Sequence, residues 1–301
     1  DGIRDSVASR GLGDVYKRQT QIHAKSHFDK VKRPLVIIIH GWRSGAISMQ
    51  GRAEIYLKMG MHVIIFEMPG HGASEPVAKW TAGHAAVTFN EFFESLESHY
   101  NMDLVSRIFL HGHSMGGFVL LKFNKFADSN QHYDKISGYI LESPLTCYSF
   151  IFEETTKQLF IPRLLINQYW KRLRVHFNTV NPKLSPVENL AEVDIPLWGS
   201  INKDLLLIQA ERDDVLGRRH YDRLVKVQSD IHYDISSEGI EMSGEEINSF
   251  PALIVVVEVM MEGAVGVAVV NSASKQGGLI VYEVLYLAGH TVVCLVIEQA
   301  Q

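Results

Sequence analysis

The chain has 301 residues, a mass of 33.9 kDa and a hydrophobic fraction of 46%, which is enough to bury the core of an α/β domain. Its formal net charge is −5 and its pI is about 6.3, so its charge gives no support to a nucleic-acid partner. Two cysteines, Cys147 and Cys294, provide neither a disulfide framework nor the spacing of a metal site.

The two ends of the chain differ in what their sequences predict. Residues 1–19 contain no starting methionine and no hydrophobic period, and we predict that they form a non-native or disordered leader. Residues 20–301 are expected to form one domain. The longest apolar stretch, residues 250–270, is interrupted by Glu258 and Glu262, and its many valines predict a β-rich or buried segment, not a transmembrane helix. The expected location is cytoplasmic.

Apolar stretches rich in β-branched residues alternate with helix-like stretches along the chain. The predicted strands are Leu35–Ile39, Val63–Glu67, Ser106–Leu110, Gly138–Glu142, Leu205–Gln209 and Leu279–Leu287. The predicted helices are Met49–Lys58, Asn90–His99, Met115–Ala127 and Arg218–Val225. Strands that are apolar throughout are buried on both faces, and this alternation implies an α/β fold with a mostly parallel sheet flanked by helices.

An aromatic insert, residues 145–194, interrupts the alternation after the fourth predicted strand. Its aromatic side chains include Tyr148, Phe150, Phe152, Phe160, Tyr169, Trp170 and Phe177. The position is suited to a helical cap over an active site. Ordinary helical packing on the sheet explains the composition equally well, and a helical insert would serve both purposes.

A sharp turn is predicted between the third strand and the third helix. Residues 110–119 read Leu-His-Gly-His-Ser-Met-Gly-Gly-Phe-Val and contain Gly112-x-Ser114-x-Gly116. A serine in such a turn is lifted out of the surface on a strained backbone, and the glycines let the strand and the helix approach each other. The pattern predicts a nucleophile at Ser114. In the alternative interpretation, Ser114 only caps the following helix.

With these motifs, residues 32–216 resemble the α/β-hydrolase superfamily. The most similar branch contains serine aminopeptidase-like hydrolases, lysophospholipase-like enzymes and monoacylglycerol lipases. The matching segments are His40-Gly41, Pro69-Gly-His-Gly-Ala-Ser74, Gly112-His-Ser-Met-Gly-Gly117 and Glu211-Arg-Asp-Asp-Val215. The resemblance implies the α/β-hydrolase fold with a helical cap insertion. Glu67 stands where this family usually has Asp.

The resemblance also implies where an oxyanion is held. In this fold the loop after an early buried strand supplies one backbone N–H, which we assign to Trp42, and the residue after the nucleophile, Met115, supplies the second. His40 either takes part in the site or only orients the turn. Neither a metal nor an organic cofactor is implied.

An acid and then a histidine are expected to follow Ser114 in the sequence. The family pattern Gly-x-x-Asp after a buried strand, with Ala210 here in place of the glycine, makes Asp213 the expected acid and Asp214 the alternative. In another interpretation the segment is only a solvated acidic loop. For the base, His290 follows the last predicted strand, His232 is the alternative, and a chain without a working base is the third interpretation. We expect Ser114, Asp213 and His290 to converge at the C-terminal edge of one parallel sheet.

Residues 241–301 are also similar to the C-terminal part of serine carboxypeptidases. The shared features are Met242-Ser-Gly-Glu-Glu246, Gly277-Gly278 and Ala288-Gly-His290. That family places its catalytic histidine in Ala-Gly-His, so both resemblances imply His290 as the base. The usual Val-Pro after the histidine is Val292-Val293 here, and the tryptophans and cysteine pairs of that family are absent.

Together these features predict a serine hydrolase that cleaves carboxylic esters through an acyl-enzyme on Ser114. One alternative is a serine peptidase of the aminopeptidase or carboxypeptidase kind. A second is a binding protein on a hydrolase fold that lacks a working base. The expected partner is a small-molecule ester or acyl substrate.

Overall fold

The computed structural model describes residues 4–8, 22–180, 183–210, 213, 216–233, 254–259, 269–276 and 279–285. In chain order the strands are β1 (Arg4–Ala8), β2 (Ile22–His27), β3 (Arg33–Ile39), β4 (His62–Phe66), β5 (Val105–His113), β6 (Ile136–Glu142), β7 (Asp204–Ala210), β8 (Ile254–Val259), β9 (Val269–Gln276) and β10 (Leu279–Leu285). The helices are α1 (Ala46–Lys58), α2 (Ala82–Glu94), α3 (Leu96–His99), α4 (Met115–Asn124), α5 (Tyr148–Gln158), α6 (Arg163–Val180) and α7 (Arg218–Tyr233).

Eight strands form one sheet in the order β1-β2-β4-β3-β5-β6-β7-β8. The six strands from β4 to β8 in this order are parallel, and β1 and β2 are antiparallel at one edge. Parallel strands place their carboxyl ends at the same edge of a sheet. The loops after β3, β5, β6 and β7 therefore meet there, and the predicted mostly parallel sheet is confirmed.

The central strand β3 is buried on both faces of the sheet. Leu35, Ile37 and Ile39 join a cluster that includes side chains of α2 and α4, whereas Val36 and Ile38 join a cluster that includes side chains of α1. All five side chains are fully buried. Successive residues of a strand point to opposite faces, so an unbroken apolar run is what a strand between two helix layers requires.

The two ends of the chain depart from the sequence expectations. Within the predicted leader, Arg4–Ala8 forms β1 and pairs with Ile22–His27 along its whole length. The short polar segment has no hydrophobic period from which a strand could be expected. That residues 1–19 are a non-native leader stays a prediction.

The last predicted strand was placed wrongly by sequence reasoning. β10 pairs antiparallel with β9 in a separate two-stranded sheet, and the strand that extends the parallel sheet beyond β7 is β8. β8 lies within the Val-rich stretch, residues 250–270, for which the sequence predicted a β-rich segment. Periodicity identified both strands but not their partners.

The insert between β6 and β7 forms the two helices α5 and α6. Its aromatic side chains hold the two helices together: Phe152 lies 5.5 Å from Tyr169 and 6.0 Å from Trp170 between ring centroids, and Tyr148 lies 5.1 Å from Phe177. Much of the aromatic content of the insert thus serves its own packing. None of the helices in the described residues is long and apolar enough to cross a membrane.

Candidate active site

Ser114 occupies the sharp turn between β5 and α4. Its φ of 51° and ψ of −113° lie outside the regions that residues with side chains usually adopt, which costs on the order of 1–3 kcal/mol. Hydrogen bonds on both sides hold this conformation: the Ser114 N–H donates to the Glu142 carbonyl at 2.9 Å, and the Leu145 N–H donates to the Ser114 carbonyl at 3.1 Å. The strained backbone is therefore fixed by the end of β6.

Two glycines bring the loop after β3 against this turn. A Cβ on Gly116 would collide with the carbonyl of Ile39 and lie 2.9 Å from the carbonyl oxygen of His40. A Cβ on Gly41 would lie 3.0 Å from His113 Nδ1, which is a tight contact, and 3.4 Å from the Ser114 Cβ. Only a residue without a side chain at position 116 allows α4 to begin so close to the end of β3.

The close approach brings the loop that contains Trp42 against the turn in which Met115 follows Ser114. Met115 is the first residue of α4 and Trp42 follows Gly41. Among the described residues, neither of these N–H groups donates a hydrogen bond to another protein group. The N-terminus of α4 adds the positive end of the helix dipole. The Trp42 side chain is half-exposed and packs on Trp80, with ring centroids 4.3 Å apart.

His40 is buried and serves the turn. With the proton on Nδ1, it donates to the Gly41 carbonyl at 2.8 Å, and its Nε2 accepts from the Met68 N–H at 3.0 Å. Burial lowers the pKa of His40 to about 4, so the ring is neutral at pH 7. Both ring nitrogens are occupied, which supports the interpretation that His40 orients the turn.

Glu67, which replaces the usual Asp, ties the end of β4 to the start of α1. Its carboxylate accepts from the N–H of Ala46 at 2.6 Å and of Ala73 at 2.8 Å, and it lies 2.7 Å from His23 Nδ1. Burial acts to raise the pKa of Glu67, but these hydrogen bonds outweigh it and lower that pKa. The carboxylate thus satisfies a backbone donor in the first turn of α1.

A buried polar network lies beneath the Ser114 turn. The Arg52 guanidinium donates two hydrogen bonds to the Glu142 carboxylate, one of them from Nε to Oε2 at 2.5 Å. With its proton on Nε2, His111 donates to the same oxygen at 3.3 Å, and the Tyr56 hydroxyl donates to His111 Nδ1 at 3.0 Å. Burial acts to raise the pKa of Glu142, but the hydrogen bonds from His111 and Arg52 lower it well below the usual carboxyl range. The charged pair links α1 to the strand end that holds Ser114.

Sequence reasoning missed this network because its members are distant in the sequence. Arg52 and Glu142 are 90 residues apart, and neither lies in a motif. The one local signal was a carboxylate at the end of an otherwise apolar, buried strand. Such a group costs free energy unless a partner compensates its charge, so a cationic partner could have been expected.

Asp213 follows β7, at the same sheet edge as Ser114. Its Oδ1 accepts from the Leu216 N–H at 2.9 Å and its Oδ2 accepts from Gln209 Nε2 at 3.2 Å. Its negative charge acts to raise the pKa of two histidines, His113 and His220, against the dominant lowering by burial. Asp213 is therefore electrostatically coupled to the residue before Ser114. The alternative acid, Asp214, lies outside the described residues.

Of the two candidate bases, His232 lies within the part of the chain that the structure describes. His290 lies outside the described residues. His232, the alternative base, lies in α7. His220, which sequence reasoning missed, is buried, and its Nδ1 accepts from the N–H groups of Thr146 at 3.0 Å and Cys147 at 3.3 Å. A base oriented by an acid donates from Nδ1, so His220 holds the chain after β6 instead.

The parallel sheet, the strained serine between strand and helix, and the adjoining loop after β3 define an α/β hydrolase. Residues 30–192, more than half of the chain, match the family model described as Serine aminopeptidase, S33. The chain belongs to this family.

Relatives of known sequence or structure agree with this assignment. Phospholipase YtpA of Bacillus subtilis (strain 168) is 32% identical over 125 residues, and the match covers 38% of this chain and 42% of that protein, which is less than half of its length. An esterase of Pyrococcus furiosus superposes with a TM-score of 0.56 at 17% identity, covering 85% of this chain and 81% of the esterase. Alpha/beta hydrolase domain-containing protein 10 from mouse superposes with a TM-score of 0.50 at 16% identity, with coverages of 74% and 84%. These two structures show a shared fold.

Proposed function

We propose that the chain is a serine hydrolase that cleaves carboxylic esters through an acyl-enzyme on Ser114. The observation that carries the proposal is the strained Ser114 turn, against which the loop that contains Gly41 and Trp42 packs. A serine lifted out of the sheet edge next to two backbone donors is suited to attack a carbonyl and to stabilise the negative oxygen that results.

The proposed reaction has two steps. In the first, Ser114 Oγ attacks the ester carbonyl while His290 takes its proton, and the proton then passes to the departing alcohol. In the second, water attacks the acyl-enzyme and gives its proton to His290. His290 then returns this proton to Ser114 Oγ as the acyl–oxygen bond breaks, so the free acid leaves and Ser114 is restored. Asp213 holds the imidazole in the required tautomer and stabilises it when it is protonated. Trp42 and Met115 hold the oxyanion in both steps.

An ester is the substrate class that the available relatives favour. The matched relative of Bacillus subtilis is a phospholipase, which cleaves esters, and the cap between β6 and β7 is rich in apolar side chains. We therefore propose a medium or long acyl chain under the residue 145–194 cap.

The second candidate is a peptidase, since the family model carries the name of a serine aminopeptidase. A cytoplasmic location also stays a prediction, which cell fractionation tests.

A substrate series tests both candidates. We expect the kcat/KM for p-nitrophenyl esters to rise from acetate to octanoate, because each buried methylene contributes about 0.8 kcal/mol. The Ser114→Ala variant should lose nearly all of this turnover. Faster cleavage of amino-acid anilides than of any ester would favour the peptidase, and a preference for acetate would contradict the acyl pocket.

The base is tested by two single variants. We expect His290→Ala to lower kcat by several orders of magnitude, and His232→Ala to leave it nearly unchanged. The reverse result would make His232 the base. Turnover that is absent from a well-folded wild-type protein would favour the non-catalytic binding protein.

A further inference from the structure

The surface between α5 and α6 exposes large apolar side chains. Phe160 is 90% exposed and Leu164 is 91% exposed, which are the two highest values for large apolar residues in the described part of the chain. Their neighbours Leu159 and Leu165 are 61% and 46% exposed. We call these four residues the cap tip. Contiguous exposed apolar side chains of this kind mark interaction surfaces.

The backbone at Phe160 indicates that the fold does not require this side chain. α5 ends in a Schellman motif, in which the N–H of Phe160 donates to the Lys157 carbonyl at 3.0 Å and the N–H of Ile161 donates to the Thr156 carbonyl at 2.9 Å. The motif holds Phe160 at a φ of 50°, a left-handed conformation for which glycine is preferred. A side chain makes this backbone conformation unfavourable, and the ring of Phe160 lies in solvent. A contact with another molecule would explain why phenylalanine stands at this position.

Helix α6 continues from the cap tip with an excess of positive charge. Its 18 residues contain four Arg or Lys side chains and no Asp or Glu. Arg174 lies 3.9 Å from the Glu188 carboxylate, whereas Arg163, Lys171 and Arg172 are exposed. The surface that adjoins the cap tip is therefore cationic.

Two exposed apolar side chains and one cationic side chain share one face of α6, and Arg163 and Arg172 flank that face on its two sides. At about 100° per residue, Leu164, Lys171 and Val175 fall on the same side of the helix. Val175 is exposed as well. Tyr169 and Trp170, on the other side, pack against Phe152 of α5. Exposed apolar residues with basic residues beside and around them are typical of a helix that lies on a membrane surface.

We propose that the cap tip and the outward face of α6 dock on a lipid surface that carries anionic headgroups. Phe160 and Leu164 enter the boundary between headgroups and acyl chains, and the basic side chains of α6 lie among the phosphates. An apolar protein groove would accommodate the cap tip but not the cations, whereas an anionic lipid surface accommodates both. This inference does not depend on the proposed ester hydrolysis.

Vesicle sedimentation with the full chain tests the proposal. We expect the protein to partition at least tenfold more strongly onto vesicles of equal parts phosphatidylcholine and phosphatidylglycerol than onto phosphatidylcholine alone. The double variant Lys171→Gln/Arg172→Gln should lose on the order of tenfold or more of this partitioning, because each basic residue near an anionic surface contributes about fivefold.

The Phe160→Gly variant separates docking from folding. It removes the ring and the strain together, so we expect weaker partitioning onto anionic vesicles but a Tm that is a few degrees higher. Val31→Ser is the matched control, since Val31 is exposed before β3, at the sheet edge opposite the Ser114 turn. This control should partition as the wild type does. Turnover of a water-soluble ester should be the same in Val31→Ser as in the wild type.

Three results would overturn the proposal. The first is that the wild-type protein fails to sediment with anionic vesicles, and the second is that the cap-tip and α6 variants sediment as well as the wild type. The third is a wild-type dimer on size-exclusion chromatography that Phe160→Gly dissociates, which would make a second copy of the chain the occupant. Absence of ester turnover in every variant would contradict the proposed function and leave the vesicle result unaffected.

Discussion

Ser114 and Phe160 adopt nearly the same left-handed φ, 51° and 50°, although neither is a glycine. At Ser114 the strain is held by the end of β6, by a glycine contact from the loop after β3 and by a buried ion pair below. At Phe160 it is held only by the last turn of α5, and the side chain lies in solvent. At Ser114, buried contacts between distant chain segments hold the strained backbone, which suits a residue that must react. At Phe160, a local surface turn holds it, which suits a residue whose side chain is presented to solvent.

If this contrast is right, removing a support of the Ser114 turn should be costly. The largest effect on stability is expected for Glu142→Gln, which leaves the buried Arg52 without its counter-charge and should lower the free energy of unfolding by about 3–5 kcal/mol. The matched control is Glu153→Gln, which removes an exposed carboxylate and should change little. Urea denaturation measures both. Equal effects would show that the buried pair does not support the turn.

The glycine contact is tested by a pair of Gly→Ala variants. Gly116→Ala should push the start of α4 away from β3 and displace the Met115 N–H, which we expect to lower kcat by about 10²–10³-fold. Gly51 lies inside α1 and a Cβ there would meet no atom within 4 Å, so Gly51→Ala should raise stability by about 0.5–1 kcal/mol. Normal ester turnover in Gly116→Ala would contradict the proposed role of the close contact.

Acid should weaken the framework around Ser114 before it affects the surface turn. Burial lowers the pKa of both His40 and His220 from 6.5 to about 4, so the unfolded chain takes up these protons first. Each neutral histidine therefore contributes to the free energy of unfolding in full above pH 6.5. This contribution, about 3 kcal/mol for each group, is lost as the pH falls toward 4.

His220→Gln provides the measurement. Its free energy of unfolding should fall less steeply between pH 6.5 and 4 than that of the wild type. The difference in slope should correspond to about one fewer proton taken up on unfolding. His99→Gln, at an exposed position, should retain the wild-type slope. Parallel curves for the wild type and His220→Gln would contradict the lowered pKa of His220 as a source of this pH dependence.

The smallest effect is expected far from both strained turns. Removal of residues 1–19 takes away β1, which among the described strands pairs with β2 alone, at the edge of the main sheet. We expect Tm and ester turnover to stay nearly unchanged. A Tm that falls by several degrees would show that the segment is a packed part of the fold.

The sequence was most informative where structure is determined locally. Unbroken apolar runs identified the parallel strands, and the spacing of Gly112, Ser114 and Gly116 identified the turn between β5 and α4. It was least informative about which strands pair and which distant side chains contact each other. The pairing of β10 with β9, and the contact between Arg52 and Glu142, depend on chain segments that meet only in three dimensions.

The cap shows both sides of this limit. Its aromatic composition indicated an apolar insert, and two helices are present there. Composition did not distinguish Phe152, which is buried between the helices, from Phe160, which is exposed in a strained turn. That difference follows from the position of each residue relative to the end of α5, which periodicity places only within a few residues.

The most direct test of the account is covalent labelling of the folded protein with a fluorophosphonate probe, followed by peptide mapping. A serine activated in the Ser114 turn should be modified once, on the peptide that contains Ser114, and Ser114→Ala should not react. Labelling at a different serine, labelling that persists in Ser114→Ala, or a folded wild-type protein that does not react would contradict the claim that this turn creates the nucleophile.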